Sequence, residues 1–288
     1  MSIQAQLTHI TTAINGIDMH IVQAGPVDGE PLILLHGFPE FWYSWRNQID
    51  ALVAAGFRLY IPDLRGYNLT SKPPEVAAYS LDVLADDILA LMDFIGVDRG
   101  NVIAHDWGGG SAWWAANRTP ERFKRLAVLN IPHHTAFSRA LKNNPQQRRR
   151  SLYMAFFQTR LAGFVVNVFD GALLKGWAFG FGDSTAFTPE DLKLYKQAWK
   201  QPGATRGMLN WYRAVRQAPP QRLTDPRIQP PTLLIWGKQD KVMLPELAQA
   251  SIELCDDGRL VYIEEASHWV QHEAPETVNQ LLIDWFKE

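Results

Sequence analysis

At 288 residues, with 28 lysines and arginines against 30 aspartates and glutamates and a formal net charge of −2, the chain is long enough for one large domain or a domain with a sizeable insertion. It carries no net field that would draw it to nucleic acid or to an anionic membrane, and its substrate need not be charged. The single cysteine, Cys255, excludes an internal disulfide, the opening segment has neither a basic n-region nor a long apolar stretch, and the longest apolar runs, at 32–35 and 89–92, fall far short of the roughly 18 residues of a membrane helix. The expectation is a soluble protein of the reducing cytoplasm.

In chain order, runs at 7–12 and 19–22 flank an Asn15-Gly16 turn, which predicts an antiparallel hairpin at a sheet edge. Apolar runs of strand length follow at 32–35, 58–61, 102–105 and 126–129, an amphipathic helical pattern occupies 81–94, and two further strands are expected at 232–236 and 260–263. That alternation predicts a mainly parallel central sheet with helices on both faces. Between Pro132 and about Pro220 the chain turns to long segments rich in Trp, Phe, Tyr and basic residues, and Pro219-Pro220 and Pro230-Pro231 mark the return to the sheet. Residues 1–132 and 221–288 are therefore read as two parts of an α/β core, and residues 133–220 as a helical cap inserted between them.

Chemistry-bearing residues gather at the carboxyl ends of the predicted strands, where open α/β sheets bind ligands. In Ala104-His105-Asp106-Trp107-Gly108-Gly109 small residues stand two positions either side of Asp106, the requirement of a sharp strand-to-helix turn that presents a nucleophile. An aspartate capping an ordinary helix leaves the same local pattern. His36-Gly37-Phe38-Pro39-Glu40 follows the first parallel strand, and the backbone N–H of Phe38 is expected to join that of Trp107 in an oxyanion hole; His36 itself reads as structural. Asp240, after Trp236-Gly237, and His268, in Ala266-Ser267-His268-Trp269, complete the order nucleophile, acid, histidine found in hydrolases built on such a sheet.

These motifs resemble the α/β-hydrolase superfamily, specifically its epoxide hydrolase branch, over nearly the whole chain: HGFPE at 36–40, DLRGYNLTSKP at 63–73, HDWGG at 105–109, WGKQD at 236–240 and SHWVQHEAPETVNQLLIDWF at 267–286. Asn68 stands where that family usually has glycine, and asparagine tolerates the left-handed backbone such a turn needs. The resemblance further implies that two cap tyrosines are functional, Tyr153 upstream of Phe157-Gln158 and Tyr212 within Asn210-Trp211-Tyr212-Arg213; Tyr43 and Tyr195 are read as structural. Trp177, Phe179, Phe181, Trp199 and Trp211 are expected to give the cap an apolar pocket.

The implied reaction suits these groups. A carboxylate is anionic at neutral pH and attacks a saturated carbon without a base, which leaves His268 free to activate water against the resulting ester of Asp106, with Asp240 orienting the imidazole. Tyr153 and Tyr212 would donate hydrogen bonds to the oxygen of the opening ring. No metal or organic cofactor is required, and no clustered Cys/His pattern offers one. The expected partner is a small apolar epoxide, with neither nucleic acid nor membrane, and the protein is a monomer or a homodimer. Haloalkane and haloacetate dehalogenases share an Asp nucleophile, but Phe38 and Trp107 stand where those types carry Asn and Arg. A serine esterase is disfavoured because Ser111 lies in the helix beyond the turn. A non-catalytic receptor on the same fold is the remaining alternative, since fold does not prove turnover.

Overall fold

The computed structural model describes residues 3–167, 174–176, 186–221 and 223–288. Strands β1 (Thr8–Ile14) and β2 (Ile17–Ala24) form the expected hairpin, turning through Asn15 and Gly16 at φ 44° and 74°. Six more strands, β3 (Glu30–Leu35), β4 (Phe57–Pro62), β5 (Gly100–His105), β6 (Phe123–Leu129), β7 (Thr232–Gly237) and β8 (Gly258–Ile263), complete a sheet of order β1-β2-β4-β3-β5-β6-β7-β8. Only β1 with β2 and β2 with β4 pair antiparallel. This is the α/β-hydrolase fold class expected from the sequence.

The central strands are apolar on both faces because both are covered. Alternate residues divide between two cores: Ile33, Leu35, Val102, Ala104, Leu234 and Trp236 face one, and Leu32, Leu34, Ile103, Leu233 and Ile235 the other. The first is closed by α2 (Leu81–Ile95) and α3 (Asp106–Arg118), the second by α1 (Arg46–Ala54) and by the long C-terminal helix, Pro275–Lys287. Helix α2 starts on Ser80, whose hydroxyl accepts from the Val83 amide, and stops at Gly96, φ 84°, an N-cap and a left-handed C-cap.

Between β6 and β7 the described residues form helices and no strand, in line with the loss of strand signals: α4 (His134–Asn143), α5 (Pro145–Arg150), α6 (Leu152–Phe157), α7 (Arg160–Asn167), α8 (Pro189–Trp199) and α9 (Ala204–Gln217). After β7 come α10 (Glu246–Ile252), then α11 (Val270–Glu273) beyond β8, and the C-terminal helix, α12. Thr188 and Asp191 close a reciprocal capping box on α8. Trp199 and Trp211 do not line the pocket expected of them. Their indole N–H groups instead donate to the carbonyls of Pro39 (2.6 Å) and Arg65 (2.9 Å), fastening α8 and α9 to the core. Trp177, Phe179 and Phe181 lie outside the described residues. Among the described residues no helix is long and apolar enough to cross a membrane.

A buried polar chain also ties α8 down. Asp191 pairs with Arg46 (3.3 Å) and accepts from the Tyr43 hydroxyl (2.9 Å); Arg46 donates to His272 Nδ1 (3.0 Å); His272 Nε2 donates to Glu40 (2.8 Å), which also accepts from the Tyr195 hydroxyl (2.7 Å). Burial pushes His272 down to about 4, so a neutral ring links the guanidinium on one nitrogen to the carboxylate on the other. Burial alone would raise Glu40, but its histidine and hydrogen-bond partners hold it well below the usual carboxylate range. Glu40→Ala should therefore leave Tyr195, His272 and Gln271 short of an acceptor and lower the unfolding free energy by about 3–5 kcal/mol, read as a shift in the urea midpoint.

Candidate active site

The sheet order reverses around β3. The chain runs outward from β3 to β4 and then returns to lay β5 against the opposite edge of β3, and the crevice at such a switch point is where open α/β sheets hold ligands. The pairing of Leu35 with Ala104 sets the loop after β3 beside the turn after β5. At that turn Asp106 has φ 46°, a left-handed conformation costing a non-glycine residue about 1–2 kcal/mol. Two glycines make the turn possible. A Cβ at Gly37 would meet Asp106 Oδ1 at 2.8 Å and Cγ at 3.0 Å, and one at Gly108 would meet the Leu35 carbonyl oxygen at 2.6 Å.

The result is a buried carboxylate with defined partners. The Phe38 amide donates to Asp106 Oδ1 at 2.8 Å, and Asp106 Oδ2 lies 3.5 Å from His268 Nε2. Among the described residues the Trp107 amide makes no hydrogen bond to that carboxylate; it stands in the first turn of α3, where backbone N–H groups lack intrahelical acceptors. Burial acts to raise Asp106, but the bond to His268, the charges of His268 and His105 and the Phe38 amide hold it below its ordinary value.

His268, beyond β8, gives its Nδ1 to Asp240 Oδ2 at 2.8 Å. Burial would lower the imidazole, yet the Asp240 charge and the bonds to Asp106 and Asp240 push it up to about 10. Asp240 Oδ1 is saturated by the amides of Val242 (2.7 Å) and Met243 (2.8 Å). Its Oδ2 is shared with Asn130, whose side-chain amide donates at 2.9 Å while its oxygen accepts from the Gly237 amide at 2.9 Å. Asn130, at φ 44° on the end of β6, is a positioning residue that the sequence reading passed over; its signal was an asparagine closing a strand ahead of Ile131-Pro132. His105, also passed over, donates from Nε2 to the His268 carbonyl at 2.9 Å, and its Nδ1 lies 3.2 Å from Gln271 Nε2 and 3.4 Å from Glu40.

Tyr212 on α9 and Tyr153 on α6 face each other with ring centroids 6.1 Å apart. The ring of Tyr212 stands edge-on to Phe38 (5.2 Å) and Trp107 (5.1 Å). Burial, reinforced by the nearby Asp106 charge, raises both phenols well above 10. Asp106, Trp107, Tyr153 and Tyr212 open on one cavity of about 430 Å³ whose remaining walls are mainly apolar, with Trp114 and Phe137 its further aromatic members. Other residues singled out from the sequence are structural: His36 accepts from the Leu64 amide (3.0 Å), Ser111 caps the Gly108 carbonyl (2.8 Å), and Asn68, at φ 37°, donates to Asp63 (2.8 Å).

Residues 30–275 match the family model described as alpha/beta hydrolase fold. The chain is 35% identical to epoxide hydrolase 2 of Caenorhabditis elegans, over 97% of this chain and 80% of that protein, and 38% identical to epoxide hydrolase 4 of Mus musculus, over 95% and 77%. The chain belongs to the epoxide hydrolase family. A crystal structure of the Bacillus megaterium epoxide hydrolase with an inhibitor superimposes with a TM-score of 0.90 at 31% identity, covering 97% of this chain and 100% of that one. The chain is also 44% identical to a Bacillus subtilis protein called AB hydrolase superfamily protein YfhM, over 95% of this chain and 96% of that protein.

The His268 ionisation depends first on one charge it can lose. Asp240→Asn keeps the shape of the acid and removes its charge, so the imidazole should fall from about 10 toward the ordinary range near 6.5. Titration of the histidine side chains by NMR follows it, with His268→Gln to assign the resonance.

Proposed function

We propose that this epoxide hydrolase opens its substrate by attack of Asp106 and releases a vicinal diol by hydrolysis of the resulting ester, with residues 133–220 acting as the cap over the site. The observation that carries the reading is the single cavity onto which the Asp106 carboxylate and the phenols of Tyr153 and Tyr212 all open. Asp106 Oδ1 is engaged by the Phe38 amide, so Oδ2 attacks a ring carbon. The carbon–oxygen bond breaks, and the epoxide oxygen takes a proton from one phenol while the other donates a hydrogen bond. Raised phenol pKa values suit this part: both tyrosines stay protonated at neutral pH and so are available as donors to the developing alkoxide.

Ester formation then switches His268. Asp106 is no longer charged, so two of the influences holding the imidazolium near pKa 10, the charge and the bond of Asp106, disappear, and its proton passes to the phenolate. The neutral ring takes a proton from water, which attacks the carboxyl carbon. Oδ1, already on the Phe38 amide, becomes the oxyanion, and the otherwise unengaged Trp107 amide is the second donor. Collapse of the tetrahedral state expels the diol and restores Asp106 as an anion and His268 as a cation. Asp240, clamped by Asn130, holds the ring throughout. The substrate expected is a small apolar epoxide, and the buried free thiol of Cys255 suits a cytoplasmic setting.

Four outcomes test this. In single turnovers with excess enzyme in ¹⁸O-water, the first diol should be unlabelled and label should appear in the Asp106 peptide; fully labelled diol would remove Asp106 as nucleophile. Tyr153→Phe/Tyr212→Phe should slow alkylation by at least about 10²–10⁴-fold without loss of fold. His268→Gln should stop at the ester, seen by mass spectrometry as an adduct of the epoxide's mass. In the wild type, ring opening should be flat from mildly acidic to mildly alkaline pH, because His268 remains protonated below about 10, whereas ester hydrolysis should rise with pH along one ionisation well below that value.

A further inference from the structure

Asp106, Trp107, Gly110 and Trp114 all line the substrate cavity, and their spacing is that of one face of α3. The cavity therefore runs along the helix from the nucleophile to Trp114, a rise of about 12 Å. A second hollow, of about 320 Å³, is bordered by Trp114 and, further along the same helix face, by Asn117. Trp114, His134 and Pro220 line both spaces and so form the partition between them.

One carboxylate holds that partition from behind. Asp82, in the first turn of α2, accepts from the Trp114 indole N–H on Oδ1 and from the Gln221 amide on Oδ2, both at 2.8 Å. Gln221 directly follows Pro220, so the ring and the proline are fixed by the two oxygens of the same group. The His134 ring stands edge-on to Trp114, centroids 5.4 Å apart. Arg118 lies 3.6 Å from Asp82 Oδ1 and also pairs with Asp86, so α2 and α3 stay tied when the Asp82 carboxylate is removed. Without its bond to Asp82 the indole has space on either side into which to turn. Building on the epoxide hydrolysis proposed above, we infer that Asp82 is a positioning residue that, through Trp114, sets the length of substrate the enzyme accepts. The substrate class is a terminal epoxide with an unbranched apolar arm, of about eight to ten carbons at most, the reach of an extended chain over about 12 Å. A longer arm meets the ring; with the ring released, it continues into the hollow beside Asn117.

The test compares 1,2-epoxyhexane, which ends short of the partition, with 1,2-epoxydodecane, which passes it. The dodecane-to-hexane ratio of kcat/KM should be about 10-fold higher in Asp82→Ala than in the wild type, because about two further methylenes find cover, each worth about 3–4-fold. Trp114→Leu, which clears the partition from the other end of the same bond, should raise the ratio equally, and Asp82→Ala/Trp114→Leu should add nothing further. Asp82→Asn, whose side-chain oxygen still accepts from the indole, should keep most of the wild-type ratio. A general loss of stability on removing Asp82 would slow both substrates alike; an unchanged ratio, or an Asp82→Ala effect that persists in full beside Trp114→Leu, overturns the inference while leaving epoxide hydrolysis intact. If neither epoxide is turned over, the hydrolase reading is what fails. Calorimetry with dodecane-1,2-diol and hexane-1,2-diol then decides the length limit: a larger gain in affinity from the longer diol in Asp82→Ala than in the wild type supports it, and an equal gain, or no binding, overturns it.

Discussion

The turn at Asp106 is the constraint on which the site depends. A strand buried on both faces ends, a helix begins within one residue, and the residue between them takes φ 46°. No side chain fits at 37 or 108 without striking Asp106 or the end of β3, so β3 and β5 can lie in register with their loops in contact. That contact puts the Phe38 amide 2.8 Å from the carboxylate. It also points the carboxylate away from the helix it begins and into the crevice, where the imidazole and the cavity meet it. The strain of the turn is recovered from the apolar cores on both sides of the sheet.

Three buried ionisable groups share this crevice, and their charges are interdependent. Asp240 cannot relax, because Asn130 and two backbone amides hold it, and its fixed charge keeps His268 protonated beside Asp106. A pair consisting of one anion and one cation is a comfortable resting state for a closed, apolar site. On the proposed mechanism the same arrangement times the second step: neutralising Asp106 by esterification is what frees His268 to act as a base. The order of events is thus built into the electrostatics rather than into a moving part.

The insertion contributes in two distinct ways. Its anchoring is polar and distant from the chemistry, through Trp199, Trp211 and the buried chain from Asp191 to Glu40. The face it turns to the cavity is mostly apolar, and Tyr153 and Tyr212 share that cavity with Asp106.

Much of this was legible in the chain itself, because it is local. Strand-length apolar runs, the Asn15-Gly16 turn, small residues flanking Asp106, and the order Asp106, Asp240, His268 are all patterns within a few residues or along one element, and steric rules for turns act at that range. The left-handed backbone at Asn68 was foreseeable for the same reason. Tertiary structure decided what depends on side chains far apart in sequence. Asn130 meets Asp240 across 110 residues and His272 meets Glu40 across 232, and no periodicity records such meetings. Trp199 and Trp211 are aromatic in the right segment, yet their indoles fasten α8 and α9 to the core while Trp114 and Phe137 line the cavity. Composition sets how much apolar surface must be buried, but only packing chooses which ring faces the core and which faces the substrate. The charge on His268 is likewise a property of its burial beside two carboxylates, which no single segment of the sequence contains.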